Sequence, residues 1–214
     1  MRFFADYDRS AAVLYAHQWA YGRNPAFYDY ENVGGDCTNF ASQCVFAGSG
    51  VMNFTPDFGW YYIDANQKSP SWTGVPYFWN FMTRQAPSVG PVAQPCALED
   101  LQPGDLVQLS FNGQEFQHTP VVVRVTAPIT LETVLIAAHS YDADDHLHVP
   151  GHPVPARTGH HPALGNRLRK MNRENRLGGS ASQPVSFCFF LDFFTCDKGF
   201  AFAAIRRDSL SMWV

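Results

Sequence analysis

The segment Gly34-Gly35-Asp36-Cys37-Thr38-Asn39-Phe40-Ala41-Ser42-Gln43-Cys44 delivers a cysteine to the start of an amphipathic pattern. Cys37, Phe40, Ala41, Cys44 and Val45 recur at helical spacing, and Gly48 reads as the stop. The first turn of a helix carries unpaired N–H groups and about half a positive charge. That position lowers a thiol pKa and binds a developing oxyanion, so Cys37 is expected to be a nucleophilic thiolate. Cys44, two turns further along the same face, has no helix terminus beside it and reads as core.

A thiolate nucleophile needs a base within hydrogen-bond reach. Of eight histidines, His118 introduces a strand in Gln117-His118-Thr119 and is the leading candidate. If Val121–Val125 and Val134–Ala138 form a hairpin with its turn near Ala127-Pro128-Ile129-Thr130, His118 faces His139. Opposed residues lie ~4.5–5.5 Å apart, so His139 is expected to orient the first imidazole. A hairpin slipped by a bulge brings Asp142 there instead. Candidate substrate contacts are Asp36, Trp60 and Trp72, the last two from a ring-rich region (58–81) that either lines a groove or fills a core. His146, His148 and His152, or Asp142, Asp144 and Asp145, offer metal-ligand chemistry without a fourth ligand or an EF-hand spacing, and no metal or cofactor is expected.

Positioning these residues requires a fold. Asp8 or Ser10 caps a first helix carrying Ala11, Ala12, Leu14, Tyr15 and Trp19. A short helix fits residues 75–84. The Pro103-Gly104-Asp105 turn opens a strand at Leu106–Leu109, followed by Pro120–Val125 and Val134–Ala138, which together predict an α+β fold. The basic, Pro/Gly-rich segment 146–184 reads as a linker or disordered segment. The apolar tail 185–214 is expected to pair as edge strands or to cover an exposed face, so a fragment ending near Asp145 is expected to fold.

The chain has 214 residues, 46% hydrophobic and 16% charged, enough to bury one sizeable core. A formal charge of -4 provides no basic stripe, which argues against nucleic acid. The N-terminus turns polar at Asp6, Asp8 and Arg9 and lacks an apolar run of signal-peptide or membrane-span length, so the chain reads as cytosolic or as a mature fragment. Five cysteines, an odd number, leave at least one thiol free. Oligomeric state is not legible.

Tyr7-Asp8-Arg9-Ser10-Ala11-Ala12 leading to Trp19, then Asn24-Pro25, Gly35-Asp36-Cys37-Thr38-Asn39-Phe40, Ser42-Gln43, Gly59-Trp60-Tyr61, Ser71-Trp72, Pro103-Gly104-Asp105, His118 and His139-Ser140 with Asp142 together resemble the bacterial putative amidase domain. The resemblance covers about residues 7–145. It implies a papain-like core related to the NlpC/P60 and CHAP cell-wall enzymes, with the catalytic cysteine at a helix N-terminus packed on an antiparallel sheet. It also implies cleavage of a peptide or amide bond in bacterial peptidoglycan. The alternative is a catalytically silent peptide- or cell-wall-binding module of the same fold.

Overall fold

A computed structural model describes residues 6–86, 88–112, 114–147 and the backbone of one strand at 186–193. Helix α1 (Arg9–Trp19) starts where Asp8 accepts a hydrogen bond from Ala11 N at 2.9 Å, and it buries Ala11, Ala12, Tyr15 and Ala16. Helix α2 (Cys37–Ser49) is buried from Cys37 through Val45, including Thr38, Asn39, Ser42 and Gln43, so it is a core helix rather than a surface one. Gly48 permits the close approach of α1: a Cβ there would lie 2.4 Å from the Tyr7 ring and 2.8 Å from Asp8 O. Gly50 ends α2 in the left-handed conformation.

Proline in the first turn begins both α3 (Pro70–Thr73) and α4 (Val75–Met82), the latter being the short helix expected there. Within the ring-rich region Trp60, Tyr62, Trp72, Phe78 and Phe81 fill the core, while Phe58 and Tyr77 are exposed. Trp60 and Trp72 are each 0% exposed with ring centroids 4.8 Å apart. Their indole N–H groups donate to Ser42 Oγ (3.0 Å) and Asn39 Oδ1 (2.9 Å) on α2. These two residues are therefore core, not the substrate contacts expected of them; polar partners on α2 made their complete burial affordable. Trp72→Ala is expected to cost ~3–5 kcal/mol of stability, read from urea unfolding. A cost under about 1 kcal/mol would contradict this packing.

The sheet has the order β1-β6-β2-β3-β4-β5. Its strands are β1 (Val92–Pro95), β2 (Leu106–Ser110), β3 (Val121–Val125), β4 (Val134–Ala138), β5 (Ala143–Leu147) and β6 (Ser186–Phe193). The β2-β3-β4-β5 pairings are antiparallel, while β6 runs parallel to both β1 and β2. The tail thus supplies an inner strand where an edge strand or a cover was expected. It also joins β1 to the sheet. The β2 strand is buried along its whole length, as a strand covered on both faces must be. On one face lie α1, α2 and the aromatic cluster; another cluster contains Leu101, Val107, Leu109, Val122, Val134 and Ile136.

The β3–β4 hairpin differs from the expected alignment. Val121 faces Ala137 rather than Ile136, with a register shift between Val122 and Arg124 and a turn closed by Thr126 N donating to Thr133 O. A one-residue slip exchanges the faces of a strand. Among the described residues no helix is long and apolar enough to cross a membrane.

Candidate active site

Cys37 opens α2 and is 8% exposed. The residue before it, Asp36, is the N-cap, yet its side chain does not cap the helix. Oδ1 instead accepts from Tyr30 N (2.9 Å) and Asn39 Nδ2 (2.8 Å), while Oδ2 meets His139 Nδ1 at 2.5 Å. Asp36 N donates to Ser140 Oγ at 2.8 Å, and Asp36 O accepts from Phe40 N at 2.9 Å. One fully buried residue therefore ties together the loop before α2, the first turn of α2 and the end of β4. The N–H groups of that first turn are left for other acceptors. Gly34 and Gly35, at φ 95° and 99°, supply the left-handed backbone that brings the chain into this corner.

His139 sits at the end of β4, 1% exposed and stacked on Phe40 with centroids 4.0 Å apart. Its Nε2 lies 2.9 Å from Trp19 O, which can only accept, so Nε2 carries a hydrogen. At Nδ1 the proton resides either on the ring, facing a carboxylate, or on the carboxyl, facing a neutral ring. In both cases the Asp36–His139 pair is net neutral, as burial at this depth requires. Both ring nitrogens of His139 are thus bound to groups other than His118.

The Thr38 hydroxyl links the Cys37 sulfur to the strand segment: Oγ1 lies 3.8 Å from Sγ and 3.3 Å from Oγ1 of Thr119, the residue after His118. Burial pushes the Cys37 thiol up, and hydrogen bonding, led by the Thr38 hydroxyl, only partly pulls it back. The expectation of a lowered thiol pKa is therefore corrected: burial outweighs the hydrogen bonding around the sulfur. Cys44 is fully buried, and burial pushes its thiol well up. Among the described residues these two are the free cysteines, while Cys96 is disulfide-bonded.

His118 is 6% exposed and bridges Leu109 of β2, with its ring 6.0 Å from that of Tyr141 and 6.3 Å from that of Phe111. The partly exposed Tyr141 and Phe111 place it at the rim of the core. Tyr141 also lines a cleft of about 440 Å³ together with Tyr21, Arg23, Asp29, Glu31 and Asp142. Arg23 organises that cleft, with Nη2 donating to Asp142 Oδ1 (2.9 Å) and Nε lying 3.3 Å from Asp29 and 3.8 Å from Asp36.

Sequence reasoning gave no role to Arg23, Ser140 or Thr119. Ser140 and Thr119 adjoin the expected histidines, but which way their groups point depends on a register that the hairpin pattern misplaced. The carboxylates weighed as cation ligands are engaged elsewhere: Asp144 by His17 (2.7 Å), Asp145 by Arg124 and Asp142 by Arg23. Among the described residues no group of three or more such side chains could hold a metal; His148 and His152 lie outside them.

A family model described as "Putative amidase domain" matches residues 6–157. The chain is 35% identical over 140 residues to YhbB, an uncharacterized protein of Bacillus subtilis (strain 168). That alignment covers 64% of this chain and 42% of the relative's length, so the chain corresponds to less than half of that protein. No solved structure matches it.

Proposed function

The chain belongs to the putative amidase domain family, and from that premise we propose that it is a papain-like cysteine hydrolase acting on an amide bond. The observation that supports this most directly is the 3.3 Å contact between the hydroxyls of Thr38, in the first turn of α2, and Thr119, the residue after His118. It brings the helix-borne thiol beside the strand segment that carries His118.

In this reading His118 takes the Cys37 proton as Sγ attacks the carbonyl carbon. An S–C bond forms, and the oxyanion is met by the Cys37 N–H at the open first turn of α2. His118 then returns the proton to the nitrogen as the C–N bond breaks. Water, deprotonated by the same imidazole, releases the acid from the thioester. Because burial favours the thiol, the resting nucleophile is Sγ–H, and proton transfer to His118 accompanies attack.

Two residues were weighed for orienting His118. With both nitrogens of His139 occupied, that histidine holds Asp36 and thereby the Cys37 turn, which leaves Asp142, itself paired with Arg23, as the remaining candidate to orient His118. The substrate is a peptide of bacterial peptidoglycan, by the same family resemblance. A catalytically silent binding module is the rival reading, favoured by the small exposure of Cys37.

Incubation with peptidoglycan fragments, followed by mass spectrometry of released amines, separates the two. Amine release is expected, and His118→Ala, compared at equal folded fraction because the side chain is buried, should lower it by ~10²–10⁴, the usual cost of losing a general base. No release by the native protein, or undiminished release by a folded His118→Ala, would refute the hydrolase.

A further inference from the structure

Behind the Cys37 sulfur lies a row of buried polar side chains that the mechanism above does not use. Gln108, in the middle of β2, is 0% exposed; Thr119 is 0% and Thr38 1% exposed. Gln108 Nε2 donates to Thr119 Oγ1 at 3.0 Å, Thr119 Oγ1 lies 3.3 Å from Thr38 Oγ1, and Thr38 Oγ1 lies 3.8 Å from Cys37 Sγ. Gln108 Oε1 has no hydrogen-bond partner.

We propose that Gln108, Thr119 and Thr38 are positioning residues that form a one-way donor relay onto the Cys37 sulfur. The direction follows from the end of the row. An amide N–H can only donate, so Thr119 Oγ1 accepts from Gln108 and its own hydrogen is free for Thr38. Thr38 Oγ1, accepting from Thr119, has its hydrogen free for the sulfur. Every hydroxyl then points toward Sγ, an arrangement that favours the thiolate over the thiol and strengthens along the row as each bond polarises the next.

Leaving one amide oxygen buried and unmatched has a cost that structural satisfaction alone does not explain. Placing the amide N–H on Thr119 fixes the polarity of the row. The partial offset of burial at Cys37 by the Thr38 hydroxyl agrees with this direction.

The relay rests on the hydrolase reading only for its purpose; its effect on the thiol can be read without any substrate. The test is the pH profile of iodoacetamide alkylation at Cys37 in the full chain, followed on the Cys37 peptide by mass spectrometry. Thr38→Val, which removes the donor at the sulfur, should move the midpoint to higher pH and lower the rate below the midpoint about tenfold, the scale of one hydrogen bond to a charged acceptor. Gln108→Met, similar in length and without a donor, should move the midpoint the same way by a smaller amount, since both hydroxyls remain, and Thr38→Ser should retain the native midpoint.

An unmoved midpoint in folded Gln108→Met, or the same midpoint in Thr38→Val and Thr38→Ser, would overturn the relay. If Gln108→Met fails to fold, the Thr38 pair decides. A shifted midpoint in a protein that releases no amine would leave the relay standing and remove the hydrolase.

Discussion

Cys37→Ala should abolish amide hydrolysis, by at least ~10³-fold, with the fold intact. Loss of the nucleophile removes the covalent route altogether, because none of the neighbouring hydroxyls is positioned as its substitute: Thr38 and Thr119 are turned toward each other and the sulfur. Structurally the change deletes one sulfur at a site with some exposure, a loss on the order of 1 kcal/mol. Chemical modification should give the same answer. Of the two free thiols among the described residues, Cys44 is wholly buried, so iodoacetamide should mark Cys37 first and activity should fall in step with labelling. Because burial raises the Cys37 thiol, labelling should be slow at pH 6 and quicken with pH through and above the ordinary thiol range near ~8.5. Preferential labelling of Cys44, or activity surviving a blocked Cys37, would exclude the mechanism.

Asp36→Ala should cost ~3–5 kcal/mol in urea unfolding, the scale for removing one member of a buried pair. Three groups converge on this side chain: Tyr30 N and Asn39 Nδ2 as donors, and His139 Nδ1, which shares a proton with it. Truncation orphans all three in the core and frees the turn that carries Cys37, so hydrolysis should fall with stability. Asp36→Asn should be much milder. Its oxygen still accepts from Tyr30 and Asn39, and its NH₂ donates to the Nδ1 of a neutral His139 whose Nε2–H remains on Trp19 O. Equal losses in the two variants would show that the site needs the charge itself; a loss below about 1 kcal/mol in Asp36→Ala would show that Asp36 is not the clamp.

The elements that carry the site were legible because their signals are local. Asp8 as a cap, the apolar spacing from Cys37 to Val45 and the β-branched runs of β2, β3 and β4 each declare themselves within a few residues. What escaped depends on distant partners. The destination of Asp36 is set by His139, over a hundred positions away, so an aspartate that reads as a helix cap or a substrate contact becomes a clamp. The hairpin alignment turned on a shift near Val123 that no alternation reveals. The strand β5, Ala-Asp-Asp-His-Leu, has little strand propensity and forms by pairing with β4 at the sheet edge. The thiol shifted opposite to expectation because the helix terminus is legible in sequence while depth of burial is not.

The placement of β6 has a consequence for how the molecule is made. A ribosome releases β1 and β2 long before the strand that lies between them, and parallel neighbours drawn from distant parts of a chain pair slowly. Until then both strands present unpaired edges toward a common gap, the kind of surface on which nascent chains associate with one another. Assembly of the sheet is therefore gated by translation of β6, whereas Asp36, Cys37, His118 and His139 all belong to parts of the chain synthesised earlier.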